Sequence, residues 1–380
     1  MKKVMAVILS SFIILSAASC SGNPDSSVIS SEASTAVEET TAVEETDAPV
    51  DYQTLLDKAV KQYQFEGVAY ATKNGEVLFE KAKGTANPET GEEITIDSLF
   101  CIGSVSKQFC STSIMLLREQ GKLSVDDTLE KYFPEYEIGK DITIKNLLTM
   151  RSGICDASQV SLEEVEYIIK EDASSKENRK NILAWLFEQP LVNLPDEKFE
   201  YNNCNYLLLS EIIEQITGVT YEEFVSENIF KPLKMENTGF LGELLNSPKL
   251  AQYNKELFEA SPYPYHLYNG VTQGAGDIIS NVKDMDIWMT AVRENTLISK
   301  DVLEEMITDY SPDSEGAYGY GFMPNMNGGI GHSGFVGTYE SFEFMDFENK
   351  CNLIVITNDV DKLFGTVSGF AAKLIDDMKL

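Results

Sequence analysis

The sequence predicts an α+β fold in which both ends of the folded region contribute strands to one antiparallel sheet flanked by helices. Two hairpin patterns carry this prediction, and their strands are the apolar runs 67–73, 77–82, 338–345 and 351–357. The first pair flanks Asn74-Gly75, a strong signal for a tight hairpin turn, and the second flanks the polar turn 346–349. Because mostly helical patterns lie between the hairpins, we expect a mainly helical subdomain, roughly residues 125–270, inserted into the sheet.

Helical periodicity predicts the other regular elements of the folded chain. The predicted helices are residues 105–120, 161–170, 181–187, 206–217, 278–292 and 365–378. The helix over 105–120 is apolar on most faces, which predicts a central and buried position. The helix over 206–217 is followed by Gly218, a common helix terminator. A cleft between the sheet and the helical insertion is the expected place for a functional site.

The first residues have the pattern of a secretion signal. A basic start, Met1 to Lys3, precedes an apolar run over 4–15 that is too short for a membrane-spanning helix. Small residues then lead to Cys20, as at the end of a bacterial lipoprotein signal. We predict a lipoprotein signal peptide over residues 1–20, with Cys20 carrying the lipid. The alternative is an ordinary secretory peptide cleaved after the small residues.

Residues 21–51 are predicted to form a disordered acidic tether. They contain no lysine, arginine or aromatic residue, and the segment 35–40 is repeated as 41–46. Such a segment buries too little apolar surface to offset the entropy of ordering it. Residues 52–380 then form the folded domain, held outside the cytoplasm and attached to the bacterial cell membrane through the lipid anchor alone.

Charge and composition exclude several classes of function. A net charge of −31 repels nucleic acid, so no nucleic-acid partner is expected. Only two histidines occur, His266 and His332, which is too few for a histidine-based zinc site. Apart from Cys20, the cysteines are Cys101, Cys110, Cys155, Cys204 and Cys351. Their scattered positions predict buried small hydrophobes with at most one or two disulfides, and no metal or cofactor is expected.

An S-x-x-K pattern occurs twice, at Ser104-x-x-Lys107 and at Ser280-x-x-Lys283. A serine and a lysine three residues apart share one face of a helix, so the amine can take the proton of the hydroxyl. Ser104 opens the buried helix, whose amino end presents free N–H groups and the positive end of the helix dipole. Ser280 is instead an expected N-cap, with Lys283 on the solvent face. The first copy is therefore the predicted nucleophile.

Two further patterns lie downstream of the first S-x-x-K. Tyr201-Asn202-Asn203 comes just before the helix over 206–217, in a loop that can project a phenol and an amide into a cleft. Gly331-His332-Ser333-Gly334 precedes a strand-like run over 335–345.

Competing patterns are weaker. Residues 329–334 match G-x-G-x-x-G but lead into a strand rather than a helix, so they do not predict a dinucleotide site. The G-x-S-x-G elbow of α/β-hydrolases does not occur. A thiol pair of Cys204 with His332 is conceivable, but nothing in the spacing supports it.

The three motifs, in this order and at these separations, resemble those of the serine β-lactamase-related superfamily. That superfamily includes class C β-lactamases, D-alanyl-D-alanine carboxypeptidases, D-aminopeptidases and related esterases. The resemblance extends to four further segments, 124–135, 144–154, 318–322 and 354–358, of which the second is similar to the "LLTHTSGI" loop of the family. It implies a β-lactamase/transpeptidase-like fold over nearly all of residues 52–380.

The resemblance also implies roles for the motif residues. Ser104 would attack a carbonyl carbon to form an acyl-enzyme, Lys107 would assist its deprotonation, and Tyr201 would act as general base and acid with a phenol pKa lowered by nearby cations. Asn203 would orient the substrate and Lys107, while His332, Ser333 and Gly334 would contact the substrate. The backbone N–H groups of Ser104 and Phe335 would form the oxyanion hole.

The third motif departs from the family pattern in one respect that matters for function. β-Lactamases and many penicillin-binding enzymes carry lysine where this chain has His332, and a histidine with a pKa of about 6.5 is charged only part of the time near neutrality. Met150-Arg151 in place of His-Thr is a lesser departure. We therefore predict an extracytoplasmic serine hydrolase for D-amino-acid peptides, amides or esters, with a small-molecule or peptide substrate for which the cell wall is one source. A β-lactamase or a non-catalytic penicillin- or cell-wall-peptide-binding relative is the alternative.

Overall fold

One antiparallel sheet joins the two ends of the folded region. The computed structural model describes residues 51–157, 167–170, 173–252, 272–314, 316–359 and 366–378. The strands are β1 (Gly67–Lys73), β2 (Glu76–Lys83), β3 (Thr85–Asn87), β4 (Glu92–Glu93), β5 (Phe100–Cys101), β6 (Gly239–Phe240), β7 (Ile278–Ser280), β8 (Met323–Met326), β9 (Gly329–Val336), β10 (Tyr339–Asp346) and β11 (Cys351–Thr357). The main sheet has the order β2-β1-β11-β10-β9-β8, so the first and last hairpins lie side by side. This arrangement confirms the predicted fold class.

Helices are the main regular structure of the described chain between these hairpins. They are α1 (Tyr52–Tyr63), α2 (Ser106–Glu119), α3 (Ile144–Leu148), α4 (Ser175–Glu188), α5 (Asn203–Thr217), α6 (Tyr221–Val225), α7 (Lys231–Leu233), α8 (Leu241–Leu244), α9 (Val282–Arg293), α10 (Lys300–Met306) and α11 (Thr366–Met378). Shorter 3₁₀ turns are Gly103–Val105, Leu129–Lys131 and Glu137–Asp141, and Ser226–Phe230 is a π-helical turn. Among these described helices, none combines the length and the apolarity that a membrane span needs.

The sheet separates two apolar cores. On one face α1 and α11 pack against the strands, and the rings of Phe65 and Phe370 stack with centroids 4.4 Å apart. On the other face lie α2 and α9, where Phe109 stacks on Trp288 at 4.1 Å. The central strands are therefore covered on both sides, which fixes the position of the strands that border the site.

Helix α2 is the centre of the second core. Every residue from Ser106 to Met115 is buried, which confirms the predicted central position. Its buried hydroxyls bond to the neighbouring segments: Ser111 Oγ lies 2.7 Å from the carbonyl oxygen of Tyr320, and Ser106 Oγ accepts a hydrogen bond of 3.2 Å from the N–H of Ile278. These bonds satisfy polar groups that would otherwise destabilise the core.

Two predicted elements differ from the structure around the second S-x-x-K. The pattern over 278–292 is not one helix, because residues 278–280 form β7 between β5 and β6 and α9 begins only at Val282. Asn281, not Ser280, is the N-cap of α9, since its side chain accepts a 2.9 Å hydrogen bond from the N–H of Asp284. A pair of isoleucines favours the strand, and the asparagine then starts the helix.

The elements that carry the other two motifs begin earlier in the chain than predicted. His332-Ser333-Gly334 is part of strand β9 instead of preceding a strand, and a turn at Gly337, with a φ of 61°, separates β9 from β10. Helix α5 begins at Asn203 because the side chain of Asn202 accepts a 2.8 Å hydrogen bond from the N–H of Cys204. Gly218 ends this helix with a φ of 75°, as predicted.

Several predictions fall on parts of the chain that the structure does not describe. Residues 1–50, with Cys20, and residues 161–166 of a predicted helix lie outside the described residues. The signal peptide, the tether and the limits of the helical insert therefore stay predictions. The five cysteines after Cys20 are described and form no disulfide in this structure.

Candidate active site

Ser104 lies between strand β5 and helix α2. It occupies the middle of the 3₁₀ turn Gly103–Val105 and is 8% exposed. Gly103 makes this turn possible: its φ is 54°, and a Cβ there would lie 2.6 Å from the backbone nitrogen of Phe335. The serine hydroxyl is thus held at the amino end of α2, close to strand β9.

Lys107 connects three separate parts of the fold through one buried amine. Its Nζ donates hydrogen bonds to Ser104 Oγ at 3.1 Å, to Asn203 Oδ1 at 2.8 Å and to the carbonyl oxygen of Ala275 at 2.8 Å. An ammonium group has three N–H donors, so the charged form is fully satisfied in this geometry. The side chain is completely buried.

Burial lowers the pKa of Lys107 to about 7, against the opposing effect of the nearby Asp156 carboxylate. Asp156 is itself buried and accepts a 3.3 Å hydrogen bond from the N–H of Asn203. An amine with this pKa loses its proton near neutrality. Lys107 can therefore act as a base toward Ser104 at physiological pH.

Tyr201 lies over the same amine, at the end of the loop that leads into α5. The Lys107 Nζ is 5.0 Å from its ring centroid, and the ring meets Tyr318 edge-on at 5.8 Å. Burial raises the pKa of Tyr201 well above its usual value, although a hydrogen bond with Ser104 opposes the shift. The expected lowering of this phenol pKa is therefore wrong, because burial disfavours the phenolate and the nearby Asp156 carboxylate raises the pKa further.

His332 points from β9 toward these residues but carries no charge. Its ring is 6.4 Å from Tyr201 and 5.8 Å from Tyr318, and the side chain is 1% exposed. Burial, and then the charge of Lys107, lower the pKa of His332 to about 3. The expectation of a histidine that titrates near pH 6.5 is wrong, since its imidazole has no solvent access to stabilise the cation.

Strand β9 passes close to the turn that carries Ser104. Gly334 lets β9 approach the nucleophile turn, because a Cβ at that position would be 2.0 Å from the carbonyl oxygen of Ile102. This contact places the backbone of Phe335 beside Gly103, the residue before Ser104. Ser333 is partly exposed in the same strand. All predicted residues of the domain site thus converge on one region.

The competing candidates do not form a site. Ser280 is buried in β7 with its Oγ 2.7 Å from Thr238 Oγ1, whereas Lys283 is exposed and pairs with Asp97 at 2.8 Å. The thiol of Cys204 lies against Asp156 and accepts from the N–H of Ala157, and burial raises its pKa, which opposes thiolate chemistry. The described residues contain no cluster of three or more His, Cys, Asp or Glu that could hold a metal ion.

Three components of this arrangement were not predicted from the sequence. Asp156, which follows the family-like loop 144–154 by two residues, could have been noticed as an acid next to a motif. The carbonyl of Ala275 carries no side-chain signal. Gln108 and Glu343 form a buried polar contact beside the site, and nothing in their spacing of 235 residues indicates it.

Comparison with known proteins agrees with this geometry. The family model described as "Beta-lactamase" matches residues 52–374. A Bacillus subtilis protein named "Putative penicillin-binding protein PbpX" is 31% identical over 274 residues, which cover 72% of this chain and 66% of that protein. The "Teichoic acid D-alanine hydrolase" of Staphylococcus aureus is 27% identical over 278 residues, with coverage of 72% and 66%. The chain thus spans slightly less than two thirds of these relatives.

Solved structures show the same fold. The D-amino acid amidase from Ochrobactrum anthropi SV3, in complex with L-phenylalanine amide, matches with a TM-score of 0.71 at 22% identity. The match covers 87% of this chain and 97% of the amidase. At this level of identity the similarity supports the fold alone.

The first prediction distinguishes the two S-x-x-K copies. Ser104→Ala should abolish covalent labelling by a fluorescent penicillin or a serine-hydrolase probe, because it removes the hydroxyl bonded to Lys107. Ser280→Ala is the matched control and should be labelled like the wild type. Labelling is measured by in-gel fluorescence, and labelling that persists in Ser104→Ala would contradict the assignment.

Proposed function

The chain belongs to the Beta-lactamase family, and we propose that it is a serine hydrolase that forms an acyl-enzyme on Ser104. Its substrates are D-amino-acid amides, peptides or esters, and it acts outside the cytoplasm. One observation carries this proposal: the buried amine of Lys107, with a pKa of about 7, lies 3.1 Å from the hydroxyl of Ser104. A base that is uncharged near neutrality is what activation of a serine requires.

Deprotonation of Lys107 converts the site into its reactive form. The neutral amine keeps two N–H groups for Asn203 and Ala275 and turns its lone pair toward Ser104. As the Ser104 Oγ attacks the carbonyl carbon, its proton moves to Nζ and the carbonyl oxygen becomes an oxyanion. The backbone N–H groups of Ser104 and Phe335 stabilise that oxyanion, an effect of roughly 3–4 kcal/mol per donor in related cases.

Tyr201 completes the proton transfer. Its raised pKa keeps the phenol protonated, so it donates a proton to the leaving amine or alkoxide as the tetrahedral intermediate collapses. It regains that proton from the Lys107 ammonium, and the acyl-enzyme remains. Water then attacks the ester carbonyl with the same residues in reverse order, which releases the acid and regenerates Ser104.

Electrostatics favour aminoacyl substrates over β-lactams. A neutral His332 supplies no cation for a β-lactam carboxylate, whereas Asp156 places a negative group next to the catalytic residues. A D-aminoacyl group carries an ammonium that such a site attracts. The name of the teichoic acid D-alanine hydrolase, a relative with 27% identity, points to the same substrate class.

A non-catalytic penicillin-binding protein is the second candidate, and the name of the 31% identical relative favours it. In that case the acyl-enzyme would form but would not turn over. Product release over many turnovers separates the two functions, since only a hydrolase releases product repeatedly.

The location follows from the amino-terminal sequence. We propose that residues 1–20 are a lipoprotein signal, that Cys20 carries the lipid, and that residues 21–51 form the spacer to the domain. A lipid-tethered enzyme would meet its small or peptide substrates, cell-wall components among them, next to the membrane.

The second prediction concerns the catalytic base. The acylation rate should rise with pH through about 7, because only the neutral form of Lys107 can accept the serine proton. Lys107→Ala and Tyr201→Phe should each lower the rate by roughly 10³-fold or more, and the double variant should be little slower, since the two residues act as a unit. Stopped-flow acylation measures this, and effects that add in log rate would contradict a shared role.

The third prediction concerns the substrate. D-Alanine amide and a D-alanyl methyl ester should be hydrolysed faster than their L-enantiomers and faster than a chromogenic cephalosporin, as followed by product release over many turnovers. His332→Lys should shift this ratio toward the cephalosporin, because it introduces a cation for the carboxylate. Equal rates for both enantiomers would contradict the proposed substrate class.

The fourth prediction concerns the anchor. Cys20→Ala should move the protein from the detergent phase to the aqueous phase in a phase partition, because it removes the lipid-bearing thiol. Cys155→Ala, at a partly exposed cysteine of the folded domain, is the control and should stay in the detergent phase. If Cys20→Ala still partitions into detergent, an uncleaved hydrophobic segment is the anchor instead.

A further inference from the structure

A buried acid lies directly opposite His332 in the sheet. Glu343 on β10 pairs in register with His332 on β9, and each residue is 1% exposed. Residues directly opposite each other in antiparallel strands project from the same face, with their Cβ atoms about 5 Å apart. Their side chains therefore share one enclosed space beside α2.

The orientation of the Glu343 carboxyl is fixed by a chain of donors. The indole N–H of Trp288, which can only donate, lies 2.8 Å from Gln108 Oε1. The other end of that amide, Gln108 Nε2, therefore donates to Glu343 Oε1. If the acid carries a proton, the proton resides on Oε2, because Oε1 is the acceptor.

Glu343 is in its neutral form near pH 7, because burial raises its pKa to about 8 and the hydrogen bond from Gln108 opposes this only in part. Its Oε2 has no hydrogen-bond partner among the described residues. A protonated carboxyl in this position is a buried donor without an acceptor, an arrangement that destabilises a protein unless the donor finds a partner.

His332 offers the complementary atom. Its Nδ1 contacts the carbonyl oxygen of Ser333, which assigns the ring hydrogen to Nδ1 and leaves Nε2 as an acceptor. That Nε2 is buried and likewise has no partner within the described part of the chain. The other groups facing this imidazole are the amine of Lys107 from α2 and the rings of Tyr201 and Tyr318.

We propose that Glu343 is a positioning residue for the active site: as a neutral acid it donates its Oε2–H to His332 Nε2 through one bridging water molecule. This bond holds the imidazole in the Nδ1–H form and fixes the ring against Tyr201. The inference rests on the proposed function, since Tyr201 is there the proton donor to the leaving group. It also makes His332 a neutral spacer instead of an anion-binding residue.

The imidazole itself can be observed by ¹⁵N NMR of histidine-labelled protein. The chain has only two histidines, so in a His266→Gln variant all imidazole signals come from His332. The wild type should show the Nδ1–H tautomer with a hydrogen-bonded Nε2, unchanged between about pH 5 and 7.5. Glu343→Gln keeps an acceptor for Gln108 and a donor for His332, so it should preserve the signals. Glu343→Met has no donor and should give a mixture of tautomers.

The rates supply the second readout. Glu343→Met should lower kcat for acylation by about tenfold, the size of one lost hydrogen bond, while Glu343→Gln should stay within about twofold of the wild type. Above about pH 8 the wild-type rate should fall as Glu343 ionises, and this alkaline limb should be missing in Glu343→Gln.

Two results would overturn the inference. The first is a folded Glu343→Met with wild-type imidazole signals and rate, which would make Glu343 a packing residue. The second is a Glu343→Gln variant as impaired as Glu343→Met, which would mean that the ionised acid is required. If Glu343→Met does not fold, the inference is still tested by the rate of Glu343→Gln and by whether the fall in rate above about pH 8 is missing in that variant. Because the NMR readout needs no substrate, a failure of the proposed function would leave it unaffected.

Discussion

The buried amine of Lys107 is the constraint on which the rest of the site depends. Its three hydrogen-bond acceptors come from the turn before α2, from the first residue of α5 and from the loop before β7. An amine enclosed by protein loses the solvation that keeps it charged, and its pKa moves toward 7 unless a counter-charge holds it. Asp156 opposes the shift without cancelling it. The three acceptors can thus stabilise the ammonium form of Lys107, while burial lowers its pKa enough for the proton to leave near neutrality.

A second constraint is the close approach of β9 to the nucleophile turn. Two glycines permit it, because a Cβ at Gly334 would lie 2.0 Å from the carbonyl oxygen of Ile102 and one at Gly103 would lie 2.6 Å from the nitrogen of Phe335. The strand that forms this edge also carries His332, whose neutrality removes the permanent cation found in the lysine form of the motif. The site therefore combines one titrating amine with an acid and has a neutral histidine in the third motif, which is the basis of the proposed preference for aminoacyl substrates.

The elements that depend on local sequence were predictable. The Asn74-Gly75 turn, the terminator at Gly218 and the burial of α2 all follow from neighbouring residues, and all three are present. The sequence favoured Ser104 over Ser280 because only Ser104 stands at the start of a helix that is apolar on most faces. Long-range effects were not predictable: β7 forms inside a helical pattern because two other short strands flank it. The protonation states of Tyr201 and His332 depend on how completely the folded chain encloses them, and no spacing of residues encodes that depth.

The central claim is that the Lys107 amine is uncharged in a large fraction of molecules near neutral pH. The most direct measurement is a pH titration of the lysine side chains by ¹⁵N NMR in the protein without ligand. The Lys107 signal is assigned by its loss in Lys107→Met. We expect a midpoint near pH 7 for that signal, well below the value of about 10.4 for a lysine in a model peptide. A Lys107 amine that remains protonated to pH 9 or above would contradict it, since no general base for Ser104 would then exist at physiological pH.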